Sequence, residues 1–257
     1  MLTFISFYTK LTNMVTIDKK VRISEAAKML GVSAQTLRNW EKSGKLQSQR
    51  SAGKQRYYLL KDLKSFALDI KAIGLAWATS SMPPDLPSEL YCERQDRFTS
   101  RVSRMGSELQ NDPSISPELA SLLPLVAGEI GDNSFAHNVG NWHDVPGIFY
   151  SYDLRKKIIV LADRGRGVKT TLQQVRPSIS SDTEALIVAF NEIISGRNPE
   201  KRGNGLKVVR NVIESKEIGL LFRSGIANAS VRLKKPDKII TKIAKENIRG
   251  TYSVIMF

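Results

Sequence analysis

The sequence predicts an α+β chain in two parts, a small basic N-terminal module followed by a larger region that mixes apolar helices with strands. Three observations predict it. Residues 23–66 read as helix, glycine turn, helix, then a basic hairpin; "SMPPDLP" at 81–87 breaks the chain; and beyond it the apolar helix "LLPLVAGEIGDNSFAHN" (122–138) is followed by the strand "KIIV" (157–160). At 257 residues the chain is long enough for two buried cores.

Charge divides the same way. Residues 1–66 hold 13 Lys and Arg against 4 Asp and Glu, whereas the remaining residues hold 26 against 21. A short segment that basic points to a polyanionic partner. The single cysteine, Cys92, excludes an intrachain disulfide and a cysteine-rich zinc site, and His137 and His143 are the only imidazoles. A reducing, cytoplasmic setting is expected. No apolar run approaches the roughly 20 residues of a membrane span, and the opening "MLTFISFYTKLTNM" lacks the cationic start of a signal peptide. Residues 1–20 read as a disordered extension, in which Met14 offers an alternative start to Met1.

In the basic module, "ISEAAKML" (23–30) forms a first helix capped by Ser24, with Ala27, Met29 and Leu30 inward. Gly31 breaks it, Ser33 caps the next, and "AQTLRNWEKSG" turns Leu37 and Trp40 inward before stopping near Gly44. Gln35, Arg38 and Asn39, with Ala34, are left on the exposed face that enters a major groove in this geometry. "KLQSQRSAGKQRYYLLKDL" then reads as strand, turn at Gly53, strand, and a helix capped near Asp62. It gathers Arg50, Lys54, Arg56 and Tyr57 on a wing suited to phosphates.

These residues, "SEAAKMLGVSAQTLRNWEKSGKL" with Arg50 and "GKQRYY", resemble the winged helix-turn-helix of the MerR family. The resemblance implies a DNA-binding domain over 21–80, acting on double-stranded DNA as a homodimer at a near-palindromic site. The family's long dimerisation helix and effector pocket are not evident, so metal or drug sensing is not implied. A linker with a connecting helix is expected over 81–114, the helix running from Ser88 to about Gln110 on Leu90, Phe98, Val102, Met105 and Leu109.

Three further segments carry chemistry. Glu129, Asp132 and Asn133 fall at i, i+3 and i+4 of an apolar helix, sharing a face where buried polar groups need partners. Asp163, Gly165 and Gly167 close the strand "KIIVLAD". Gly203 and Gly205 precede an amphipathic helix starting at Leu206, with Lys201, Arg202 and Lys207 alongside, which is how a chain presents backbone N–H groups to an anion. In this order the segments resemble the GHKL superfamily of ATPases and kinases. Glu129 and Asn133 match the N box, Asp163, Gly165 and Gly167 the D-x-G-x-G box, Gly203, Gly205 and Leu206 the G-x-G-L box, and "GTYSVIMF" the last strand.

The resemblance implies an α/β sandwich of the Bergerat type over 115–257, binding ATP with Mg. Asp163 would accept the adenine amino group, Thr251 would support the base, Asn133 would hold magnesium, Lys201 and Arg202 would offset phosphate charge, and residues 168–202 would form a lid. Glu129 would be a general base or orient the metal shell. Neither histidine sits on an exposed helix followed by an acid, so a histidine autokinase is not expected; an ATPase or a serine/threonine kinase is. The two readings are a DNA-binding regulator tied to nucleotide occupancy, and an anti-sigma-like protein kinase whose N-terminal module docks a regulatory protein partner.

Overall fold

The computed structural model describes residues 19–30, 33–42, 46–51, 55–67, 69–192, 205–231 and 238–257. The chain forms two compact units that divide between Asp69 and Ile70.

The N-terminal unit runs β1 (Lys20–Arg22), α1 (Ile23–Leu30), α2 (Ala34–Lys42), β2 (Gln49–Arg50), β3 (Arg56–Leu59) and α3 (Leu60–Ala67). Its sheet has the order β1-β3-β2, both pairings antiparallel. The sequence reading missed β1, three residues being too few for a period-2 pattern. Ser24 and Asp62 lie inside the first turns of α1 and α3 and are not their caps. Small Ala26 and Ala27 let α1 approach Leu37, Tyr58 and Leu63, all fully buried, and Trp40 closes the core against Phe66 at 4.9 Å between ring centroids. Gly31, Gly44, Gly53 and Lys54 lie outside the described residues.

The C-terminal unit runs α4 (Ile70–Thr79), β4 (Tyr91–Cys92), α5 (Gln95–Gln110), α6 (Pro117–Asn138), β5 (Ile148–Asp153), β6 (Ile158–Asp163), α7 (Gly167–Gln173), α8 (Asp182–Asn191), α9 (Gly205–Ser215), β7 (Gly219–Val231) and β8 (Ile240–Met256). Its antiparallel sheet has the order β4-β5-β6-β8-β7. Ile148, Tyr150, Ile159, Leu161 and Ile255 share one core with Phe98, Met105, Val126 and Ile130 of α5 and α6. Phe149 and Val160 alternate to the other face, which α4 covers; a Cβ on Gly74 would stand 3.0 Å from Phe149 and 3.1 Å from Val160. Both faces being covered, every residue of β6 is buried, which explains why "IIVLA" reads as an unbroken apolar run.

Two expectations are corrected. The helix drawn from Ser88 begins at Gln95, because Tyr91 and Cys92 pair with Phe149 and Ile148 as an edge strand. The linker at 81–87 is not the boundary between units: α4, assigned to the basic module, belongs with the larger unit because its apolar face and Gly74 fit the sheet.

Candidate functional sites

On α2 the side chains of Gln35, Arg38 and Asn39 are exposed, while Leu37 between them is fully buried. They form one network: Arg38 Nη1 donates to Gln35 Oε1 at 3.2 Å and Gln35 Nε2 to Asn39 Oδ1 at 3.2 Å. The same short set therefore presents donors and an acceptor along one helix face, the chemistry that reads base edges.

The wing is organised by an acid the sequence reading passed over. Glu41, in the last turn of α2, accepts from Ser48 Oγ and from Arg56 Nε at 2.7 Å. The Ser48 hydrogen bond first, then Arg56, hold its carboxyl below the usual carboxylate range. Arg56 thus clamps β3 to α2, an intramolecular contact the sequence did not foretell for a residue assigned to phosphate. Arg50 is exposed on β2. Tyr57 donates its hydroxyl to Gln49 Oε1 at 2.7 Å, with Lys20 Nζ 4.8 Å from its ring centroid.

In the C-terminal unit, Asp163 ends β6 opposite Thr251 of β8. Its carboxyl is 1% exposed and surrounded by donors: Ser134 Oγ at 2.8 Å and the Thr251 hydroxyl on Oδ2, Gly165 N at 2.8 Å and Asn138 Nδ2 at 3.4 Å on Oδ1. Burial pushes this carboxyl up, and the donors only partly oppose it. Gly165 lies so close to the Asn138 amide that a Cβ would collide with it, and Gly167 has φ +74°, where a side chain is strained. Ser134 and Asn138 were missed, though an i, i+4 polar pair on an apolar helix is a signal that could have found them.

Glu129 and Asn133 of α6 meet the start of α9. A Cβ on Gly205 would stand 2.7 Å from Glu129 Oε2 and 2.9 Å from Asn133 Nδ2, so only glycine leaves this cradle open. Leu206 anchors α9 on the core. Asp132 does not join them; it is exposed and accepts from Gln95 Nε2 at 2.9 Å. Lys201, Arg202 and Gly203 lie outside the described residues. Among the described residues no three His, Cys, Asp or Glu side chains come together to hold a metal ion.

Arg164, between Asp163 and Gly165, points away into a second arrangement. It is 0% exposed, with Nε 3.1 Å from both Asp144 oxygens and Nη2 2.6 Å from Oδ2. Nη1 donates to the Trp77 carbonyl, and the guanidinium carbon lies 5.8 Å from the Trp77 ring centroid. Arg249 reaches the same Asp144 at 3.1 Å. The Arg164 hydrogen bonds hold Asp144 below the usual carboxylate range.

Residues 22–58, from the end of β1 through β3, match the family model for the MerR family regulatory protein. Together with the exposed face of α2, this match supports a DNA-binding transcription regulator. No curated protein matches the chain. Among the described residues no helix is long and apolar enough to cross a membrane.

Proposed function

We propose that this protein is a cytoplasmic, homodimeric transcription regulator whose DNA binding is tied to Mg-ATP held in a GHKL-like C-terminal unit. The N-terminal half of the reading rests on the MerR match and the Gln35–Arg38–Asn39 face. The observation that supports the other half most is two meetings of segments distant in sequence: Glu129 and Asn133 at Gly205, and Asp163 at Thr251 beside the Gly165–Gly167 turn.

A bound nucleotide supplies an adenine amino group and a metal-neutralised triphosphate. Asp163 is the acceptor for the amino group; the Thr251 and Ser134 hydroxyls are rotors that can turn from it and leave Oδ2 to the base. Asn133 offers its amide oxygen to a hydrated magnesium ion, a single protein ligand sufficing when phosphates supply the rest. The backbone at the start of α9 receives phosphate. Glu129, beside Asn133, deprotonates or orients a water.

Titrating ATP into the full chain with and without magnesium tests the reading, followed by footprinting of a selected DNA site with and without nucleotide. Magnesium-dependent binding that changes the footprint is the expected result. No ATP binding removes the nucleotide half, and no DNA binding at low salt removes the regulator half.

A further inference from the structure

A cavity of about 560 Å³ opens beside the turn that follows β6, lined by Arg166, Lys169 and Arg249 and by the hydroxyl-bearing Ser80, Ser81 and Thr170. We propose that it binds the phosphate group of a small phosphorylated molecule, independently of the nucleotide reading of Asp163.

The charge arrangement carries the assignment. Arg166 and Lys169 make no ion pair with a described residue, although they stand three residues apart on one helical turn, where like charges repel. Arg249 is shared with Asp144 at 3.1 Å. The one carboxylate lining the cavity, Asp182, is already occupied, accepting from Ile226 N at 2.9 Å. The C-terminal end of α4 forms another wall, where the Trp77 carbonyl accepts from Arg164 Nη1 and the Thr79, Ser80 and Ser81 hydroxyls line the cavity. Three cations against one carboxylate leave the lining net positive among the described residues. Guanidinium, ammonium and hydroxyl donors together suit the oxygens of a phosphate. The volume falls within the usual range for small-molecule sites and exceeds what inorganic phosphate alone would fill.

The cavity adjoins the Asp163 turn. Arg166 N donates to Asn138 Oδ1 at 2.9 Å, and the same amide group bonds Asp163 through Nδ2.

Thermal unfolding of the full chain with inorganic phosphate or pyrophosphate, against potassium chloride at matched ionic strength, tests the proposal. Saturable stabilisation by the phosphates is expected, with Lys169→Gln and Arg166→Gln each weakening the apparent affinity about tenfold. Gly205→Ala, which fills the phosphate end of the nucleotide reading, should leave it unchanged. Among the described residues neither Arg166 nor Lys169 holds an ion pair, so both variants should melt normally without ligand, and ³¹P line broadening gives an independent reading of binding. Stabilisation no greater than that by chloride overturns the proposal. So does full stabilisation of the Arg166→Gln/Lys169→Gln double variant, or its loss in Gly205→Ala, which would send the anion to the other site.

Discussion

Arg56 Nε lies 2.7 Å from Glu41 Oε2, so the wing strand is tied to the helix whose exposed face carries Gln35, Arg38 and Asn39. Both partners are part-exposed, at 29% and 19%, and the pair is worth about 0.5–1 kcal/mol of stability. Glu41→Gln should therefore melt only slightly lower, yet weaken binding to every DNA sequence because the wing loses its alignment. The folded carboxyl being lowered, its contribution is full above the ordinary carboxylate value and is lost as pH falls through the folded value. Acid melts of wild type and variant should converge at low pH; parallel curves would remove the linkage.

Base reading and phosphate contact separate by substitution. Arg38→Ala should cost about 1–3 kcal/mol on a selected site, if it pairs with guanine, and little on random DNA. Arg50→Ala should weaken both alike and reduce the salt slope by about one. Binding isotherms at several salt concentrations distinguish the two; equal losses on both DNAs for Arg38→Ala would refute base reading.

On the nucleotide reading proposed above, Asp163→Asn should abolish ATP binding in a folded protein. The Ser134 and Thr251 hydroxyls can reverse to accept from an amide, so the network survives. Because burial raises the folded carboxyl, the wild type bears a cost of charge burial at neutral pH that the amide escapes. The variant should melt no lower than wild type at neutral pH. On acidification wild type should gain on it, since the native state takes up a proton at Asp163 before the unfolded chain does. Calorimetry showing unchanged ATP affinity would sink the adenine assignment.

Two glycines on opposite sides of α6 should behave differently. Gly205→Ala meets only the far ends of the Glu129 and Asn133 side chains, so stability should change by less than about 1 kcal/mol. Magnesium-dependent nucleotide affinity should fall about tenfold as the cradle fills. Gly131→Ala runs into the fully buried Phe98 ring and should cost about 1–3 kcal/mol by denaturant melt. Equal stability losses would place Gly205 in the core.

Asp144→Asn should cost about 3 kcal/mol, because Arg164 stays buried with its compensating charge gone. Replacing the pair together, as Arg164→Met with Asp144→Asn, should recover part of that loss, which a double-mutant cycle reads directly.

The helix-turn-helix was legible because its signals are local: a glycine break, Leu37 and Trp40 at helical spacing, a basic hairpin. The glycine turns at Gly165 and Gly167 were legible as a short pattern. What surrounds Asp163 was legible only in part: the resemblance named Thr251 beside it, but Ser134 and Asn138 reach it across 29 and 25 residues, and a sequence does not declare such partners. The placement of α4 was hidden for a related reason. An apolar helix between two modules fits either core, and only the close approach of Gly74 to Phe149 decides. A two-residue edge strand at Tyr91–Cys92 is shorter than any period can show.

The stacking of Arg164 on Trp77 gives the molecule an optical consequence. Trp77 is 2% exposed, its indole lying under a cation fixed in the turn that joins Asp163 to Gly165. Trp40 sits beside α3 in the other unit, and Trp142 edges Phe135 beyond the end of α6. The three indoles in the chain therefore stand in three separate chemical surroundings. With Trp40→Phe and Trp142→Phe in place, the remaining emission belongs to Trp77 alone. A charged group held near an indole shifts its emission wavelength, so any movement of the Asp163 turn is readable without a label, on the timescale of stopped flow.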